Sequence, residues 1–184
     1  MPLPVTPQAW DKGNMERFLD TTAGDAQFAI GALLLLRLIE YTRARRNAEN
    51  LAASGAVEYG RGNHQRLAIL HGVWLFALTY TAVETRGLWW PALIAFAPVV
   101  VLRLWTLQAL GEEWSLRLFA PPPPAKLRRR IFWTTLAEFA LLPFAFGAWL
   151  LAPIFVAAGA WILRERAALE DRAATGAIPE EPAQ

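Results

Sequence analysis

The chain has 184 residues, of which 55% are hydrophobic, and its formal net charge is +2. A soluble domain has roughly 45–50% apolar residues, so this composition argues against one. The absence of cysteine excludes disulfide bonds, thiolate nucleophiles and cysteine-based zinc or iron–sulfur sites. Apolar stretches of about 20 residues, the length that crosses a bilayer, recur along the chain and predict a polytopic membrane protein.

The two ends of the chain differ from the apolar middle. Residues 1–22 are polar and contain proline, and they lack the basic and apolar regions of a signal peptide. The tail 173–184, "AATGAIPEEPAQ", is small, acidic and proline-containing, which is typical of disorder. The prediction is a polar N-terminal segment, a single membrane domain over residues 23–172, and a disordered acidic tail.

The apolar middle predicts five transmembrane helices. The first three spans are expected at about residues 23–43, 66–84 and 88–110. The stretch 131–163 is too long for one span, and Pro143, Gly147 and Pro153 near its centre indicate a tight hairpin of two spans that turns at about 146–151. All five spans should be helical, because lipid offers no partner for unpaired backbone groups.

The positions of the basic residues predict the orientation of this all-α integral membrane fold. Arginine and lysine concentrate in the connections 43–66 and 111–130 and in the C-terminal flank after residue 163. Since basic loops stay on the cytoplasmic side, the N-terminus is expected outside and the C-terminus inside, in a bacterial inner (cytoplasmic) membrane. Short basic runs beside membrane spans favour anionic lipid headgroups, and not nucleic acid, as the partner.

Charged side chains within the spans are candidate site residues, because a charge in lipid is costly. Arg37 and Glu40 lie three residues apart on one helix face and can pair with each other. They are interpreted either as groups that snorkel to the cytosolic surface or as part of a site. Arg103 could pack against Trp105, contact a lipid phosphate or bind a ligand.

Two further polar residues fall inside predicted spans. Glu138 lies two turns into the first arm of the hairpin, and its expected partner is one of the basic residues just upstream. It is either a structural tether or a site residue. His71 has no second ligand at metal-binding spacing, so no metal site is expected.

Two segments carry a more specific pattern. The segment 37–84 contains Arg-x-x-Glu, then Arg-Asn, Gly-Ala-x-Glu-x-Gly and Leu-His-x-x-Trp, and the segment 102–122 contains Leu-Arg-x-Trp, Leu-Gly, a Trp and prolines. In these motifs the chain resembles the bacterial isoprenylcysteine carboxyl methyltransferase-like membrane proteins, over roughly residues 33–170. The matching positions are Arg37, Glu40, Arg46, Asn47, Leu51, Gly55, Ala56, Glu58, Gly60, His64, Leu70, His71, Trp74 and Glu84.

The resemblance implies a five-helix membrane fold that uses S-adenosylmethionine as methyl donor. The acceptor it implies is a carboxylate or hydroxyl on a lipid-like small molecule that enters from the bilayer. The donor pocket is expected on the cytosolic side, between the last hairpin and the C-terminal helix. The substrate cavity would then contain the polar residues of the spans, namely Arg37, Glu40, His71, Arg103 and Glu138.

The second half departs from the family pattern. The family's Arg-His-Pro-Asn-Tyr falls on residues 128–132, which are Arg-Arg-Arg-Ile-Phe. Trp161 stands where the family has an Arg, and Arg164, one turn further on, could take the place of that Arg. The cofactor-binding candidates are therefore Glu165, Arg128, Arg129 and Arg164. Two functions remain open: a divergent S-adenosylmethionine-dependent O-methyltransferase, and a catalytically degenerate member that binds lipid or organises partner proteins.

Overall fold

The computed structural model describes the backbone of residues 12–85 and 88–177 and the side chains of residues 24–84 and 88–177. Five helices make up most of this part of the chain: α1 Lys12–Ala53, α2 Arg61–Thr85, α3 Trp90–Leu110, α4 Ala125–Ala145 and α5 Leu151–Ala174. Two three-residue strands, β1 Val57–Tyr59 and β2 Leu118–Ala120, pair antiparallel. A short 3-10 turn, Gly111–Glu113, follows α3.

The helix bounds agree with the predicted hairpin. The chain leaves α4 at Ala145 and enters α5 at Leu151, so the turn lies where Pro143 and Gly147 indicated. Helix α4 begins earlier than the predicted span, directly after the four prolines. Pro124 is the last residue before the helix, where its missing N–H costs no helical hydrogen bond. The predicted N-terminal segment is helical from Lys12, and its residues 1–11 lie outside the described residues, as do residues 178–184 of the predicted tail.

Two of the helical segments, 61–84 and 90–113, are long and apolar enough to cross a membrane. Only 22% and 28% of their apolar windows are buried in the protein. Large apolar side chains such as Phe76 and Ile94 are exposed on them. An apolar helix that is largely exposed needs an apolar surrounding, because water would penalise each of these side chains.

The connections between the helices gather at two opposite ends of the bundle. The first, here called the basic end, contains residues 54–60, residues 111–124 and the C-terminal part of α5. The strands join its two connections, with Val57 opposite Ala120 and Tyr59 opposite Leu118. At the opposite end, the Trp89 amide donates to the Ala145 carbonyl over 2.8 Å. Between the ends, an apolar core around Trp74, Leu78, Phe139 and Phe155 holds α2, α4 and α5 together.

Asn47 fixes the connection after α3 onto α1. Its side-chain amide donates to the carbonyls of Gly111 and Trp114 at 3.0 and 2.8 Å. Gly60, which follows β1, has a φ of 65°, and a Cβ there would lie 2.9 Å from a methyl carbon of Leu118. Only glycine combines this backbone conformation with such close packing. These contacts give the basic end a defined shape, in which a cavity forms.

Candidate functional site

A cavity of about 650 Å³ lies at the basic end. The two strands, the prolines 121–124, the first turns of α4 and the last turns of α5 form its walls. Its volume is in the range that holds a small ligand or cofactor, roughly 300–1,000 Å³. The lining is mixed, with aliphatic and aromatic side chains beside arginines and carboxylates.

Two arginines and two carboxylates form one wall of the cavity. The Arg128 guanidinium lies 3.4 Å from a Glu170 carboxylate oxygen and 3.1 Å from an Asp171 oxygen. Arg166 donates to Glu170 over 3.1 Å and to the Leu116 carbonyl over 2.9 Å. Arg128 and Glu170 are largely buried, which strengthens their attraction compared with an exposed pair. Arg129 also lines the cavity, and its side chain is exposed.

Three buried donors of the cavity lining have no hydrogen-bond partner among the described residues. They are the Tyr59 hydroxyl, the Trp114 indole N–H and the Arg128 Nε–H. Burial, and then the nearby Glu170 carboxylate, raise the pKa of Tyr59 to about 12, so the hydroxyl stays protonated at neutral pH. Each unpaired buried donor costs about 1–3 kcal/mol. The donor atoms themselves have almost no accessible surface, so a ligand with several acceptor atoms would remove that cost once these side chains turn toward the cavity.

A second set of polar residues forms an ionic cluster inside the bundle. Arg37 pairs with Glu40 on α1 and reaches Glu138 on α4 at 2.7 Å. Arg103 on α3 lies 3.1 Å from Glu40 and 3.7 Å from Glu138, and it donates to the Thr135 hydroxyl over 3.1 Å. All four charged side chains are at most 10% exposed. Two positive and two negative charges thus neutralise each other and tie three helices together.

The ionic cluster confirms one prediction and corrects three others. Arg37 and Glu40 do pair, but they are buried in the bundle and do not snorkel to its surface. The predicted partner of Glu138, a basic residue just upstream on α4, is wrong. Residues 126–130 lie toward the basic end, about 12–18 Å along the helix at 1.5 Å per residue. Glu138 faces Arg37 and Arg103 in the interior. Arg103 does not pack on Trp105, whose ring is covered by Arg130 at 4.3 Å.

His71 belongs to the apolar core. Its Nδ1 is 3.1 Å from the Leu67 carbonyl oxygen, and its ring packs 4.8 Å from the ring of Phe139 and 6.2 Å from that of Trp74. Across residues 24–84 and 88–177, no group of three His, Asp or Glu side chains could hold a metal ion.

The structure separates the four cofactor-binding candidates. Arg128 and Arg129 line the cavity, whereas Glu165 and Arg164 are not in its lining. Glu165 pairs with Arg66 at 2.9 Å, and Arg164 is exposed, as is Trp161. The five substrate-cavity candidates, Arg37, Glu40, His71, Arg103 and Glu138, do not line the cavity either, although Arg37, Glu40, Arg103 and Glu138 do come together.

The cavity lining also contains aromatic and charged residues that were not predicted as site residues, among them Tyr59, Trp114, Arg166 and Glu170. A signal for the last two exists on α5, where Leu163, Arg166, Ala167 and Glu170 recur at intervals of three and four residues and so share a helix face. Tyr59 and Trp114 lie in connections, where no such periodicity exists.

Comparison with known proteins gives one distant relative. The uncharacterised protein YpbQ of Bacillus subtilis (strain 168) is 23% identical to this chain over 156 residues, which covers 78% of this chain and 93% of YpbQ. No family model matches the chain, and no solved structure matches it. The similarity to YpbQ extends over most of both chains, and the name of that protein states no activity.

Proposed function

We propose that the protein is an integral membrane protein that binds S-adenosylmethionine in the basic-end cavity and methylates a carboxylate or hydroxyl of a lipid-like substrate. The observation that carries the proposal is the cavity itself, with three unpaired buried donors in its lining. The resemblance in segments 37–84 and 102–122 adds support, because it implies a donor pocket beside the last hairpin. Helices α4 and α5 supply the charged wall of this cavity.

The residues of the cavity fit the chemical groups of S-adenosylmethionine. Its carboxylate and adenine nitrogens are acceptors, which suit the unpaired donors of Tyr59, Trp114 and Arg128. Its ammonium group suits the carboxylates of Glu170 and Asp171, and Phe132 offers an aromatic ring to the adenine. When bound, the cofactor supplies an electrophilic methyl group. The work of the chain is to hold donor and acceptor in line and to exclude water.

The apolar part of the cavity suits a lipid-like acceptor. Its apolar lining includes Leu110, Ile131, Phe132 and Leu163. A chain placed against them would bring a polar head toward Arg128 and Arg129, as one expects for an amphiphilic substrate with a carboxylate or hydroxyl.

The membrane part of the proposal comprises five transmembrane helices, with the basic end in the cytoplasm of a bacterium and the N-terminus outside. All five helices are long enough for it, since each has at least 21 residues and the bilayer core needs about 20. Two of them, α2 and α3, are also apolar enough to cross a membrane, and these two carry the support for it. Two exposed arginines at the basic end, Arg46 and Arg61, would face anionic lipid headgroups. Nucleic acid is not proposed as a partner.

A second candidate function is that of a catalytically degenerate family member that binds lipid or organises a partner protein. The charged wall favours it, because Arg128 already has two carboxylate partners and Arg166 has one. Arg129, at the position of the family's His, also adds a permanent positive charge to the cavity that would have to accept a sulfonium. Like charges at close range oppose binding.

Titration calorimetry of the detergent-purified protein with S-adenosylmethionine and S-adenosylhomocysteine tests the two candidates. The first predicts binding that both Tyr59→Phe and Arg128→Gln weaken by about tenfold, the effect of losing one hydrogen bond to a charged group. Arg46→Gln, an exposed cation outside the cavity, is the matched control and should bind as the unaltered protein does. Glu165→Ala should also leave binding unchanged, because Glu165 pairs with Arg66 outside the cavity.

The result that contradicts the methyltransferase proposal is an absence of heat with millimolar S-adenosylmethionine while the variants and the unaltered protein remain folded. That result favours the second candidate. Binding that Arg129→His strengthens would support the first, because the substitution removes a positive charge beside the sulfonium.

A further inference from the structure

A cation and two indoles lie on the outer surface where α3 and α4 meet. The Arg130 guanidinium sits 4.3 Å from the ring centre of Trp105. Trp105 and Trp133 are 52% and 62% exposed, and Trp133 is three residues after Arg130 on α4. No carboxylate of the described residues pairs with Arg130, and its guanidinium lies against the Trp105 ring. The ring therefore orients the guanidinium, but no carboxylate of the described residues neutralises its positive charge.

The depth of these side chains suits a membrane interface. Arg130 is five residues after the start of α4 at Ala125, and Trp105 is five residues before the end of α3 at Leu110. At 1.5 Å per residue, both lie about 7–8 Å from the helix ends at the basic end. Indoles concentrate at this level of a bilayer, where their N–H meets the headgroups and their rings meet the acyl chains.

Exposed apolar stripes on α3 and α4 continue from Trp105 and Trp133 toward the opposite end of the bundle. On α3, Val101, Pro98 and Ile94 follow Trp105 at intervals of three and four residues, and all three are exposed. On α4, Phe144 is exposed eleven residues after Trp133, three helical turns further along the same face. Because α3 and α4 are antiparallel neighbours, these side chains form an exposed apolar surface about as long as an acyl chain.

We propose that Trp105, Arg130 and Trp133 form a binding site for one anionic phospholipid. Arg130 holds the phosphate, exposed Lys126 adds a second positive charge one turn closer to the basic end, and the acyl chains lie along the α3 and α4 stripes. Free phosphate would use the cations alone and leave the indoles and the stripes without a partner, so the structure favours the lipid. This inference rests on the proposed membrane embedding and is independent of methyl transfer.

Native mass spectrometry of delipidated protein in detergent tests the site, with dioleoyl phosphatidylglycerol and dioleoyl phosphatidylcholine as probes. We expect a tight first phosphatidylglycerol, which Arg130→Gln weakens about fivefold, the worth of one cation near a lipid surface. Trp105→Leu should weaken it as well, because the ring no longer orients the guanidinium. Arg43→Gln removes an arginine of α1 that is more exposed than Arg130 and stacks on no aromatic ring of the described residues, and it should leave the first lipid bound.

Three results would overturn the site: equal retention of the two lipids, an equal loss in Arg43→Gln, or competition by inorganic phosphate at the same concentration as the lipid. Failure of the site is distinguishable from failure of the membrane proposal. If only the site is wrong, the unaltered chain and Arg130→Gln both stay in membranes washed at alkaline pH. If the embedding is wrong, the wash releases both.

Discussion

The charges inside the bundle are the residues whose substitution should cost most. Arg37, Glu40, Arg103 and Glu138 are each nearly inaccessible, and each charge depends on the others for compensation. Breaking a buried pair leaves an uncompensated charge, which costs far more than an exposed pair contributes. The pairing of Arg37 with Glu40 could be predicted from the sequence, because the two residues are close along one helix. The contact of Arg103 with Glu40, 63 residues away, could not be predicted, because it depends on how the helices pack.

Glu138→Gln should destabilise the fold by about 3–5 kcal/mol, because Arg37 and Arg103 would then share the single carboxylate of Glu40. Unfolding by SDS in mixed micelles, followed by tryptophan fluorescence, measures the loss. Glu49→Gln is the matched control, since the Arg45–Glu49 pair is exposed and should contribute little.

A double variant tests whether charge balance is the cause. Arg37→Gln together with Glu138→Gln leaves Glu40 and Arg103 as a neutral pair, so the double variant should be more stable than Glu138→Gln alone. A double variant that loses the sum of the two single losses would contradict the explanation by charge balance.

The residues that line the cavity could also be predicted only in part from the sequence. Arg128 and Arg129 could be named from the sequence because they occupy the positions of a family motif. Trp114 also matches a family position, the Trp of segment 102–122, but that match assigns it no site. The places of Tyr59 and Trp114 in the lining depend on the pairing of β1 with β2 and on the hydrogen bonds of Asn47. The donors that carry the proposed function are therefore a product of tertiary structure.

At the scale of elements, the hairpin of α4 and α5 was predictable and its close packing was not. Proline and glycine in an apolar stretch indicated the turn, but the contact depends on Gly159 of α5, whose missing Cβ makes room for the Phe139 ring of α4. A Cβ built there would lie 2.6 Å from two ring carbons, closer than any real contact. The two short strands were missed, because three residues with no periodicity give no signal by themselves.

Gly159→Ala should therefore destabilise the protein by about 1–3 kcal/mol, the usual cost of overpacking a core. The same SDS titration measures it. Gly72→Ala is the control, because a Cβ on Gly72 would meet nothing within 4 Å and alanine favours the helix. If the two variants unfold alike, the α4–α5 contact is looser than described.

Asn47 should control the connection that carries Trp114 and β2. Asn47→Ala removes two donors that hold the Gly111 and Trp114 carbonyls, so residues 111–120 should open more often. Limited trypsin digestion reads this out as faster cleavage after Arg117, which is half-exposed in that connection. Asn50→Ala, an exposed position on the same helix, should leave the rate unchanged. A faster rate in both variants would point to α1 and not to the two hydrogen bonds.

At the scale of the whole molecule, the bundle has two chemically different ends. The connections 54–60 and 111–124 and the end of α5 meet at one of them, with the cavity. The described connections at the opposite end, residues 88–89 and the hairpin turn 146–150, carry no charge. The sequence predicted this segregation correctly, since the order of the helices alone decides which connections share an end. Which end faces the cytoplasm stays a prediction from the basic residues.

Single cysteines test the orientation without background, because the chain has none of its own. Ser54→Cys places an exposed thiol at the basic end, and Trp149→Cys places one at the opposite end, where the side chain is 58% exposed. In spheroplasts, a membrane-impermeant maleimide should label Trp149→Cys at once and Ser54→Cys only after the membrane is opened. Detergent-solubilised protein, in which both must react, is the control. The reverse pattern would put the cavity on the outer side, where no S-adenosylmethionine is made, and would remove the proposed cofactor along with the orientation.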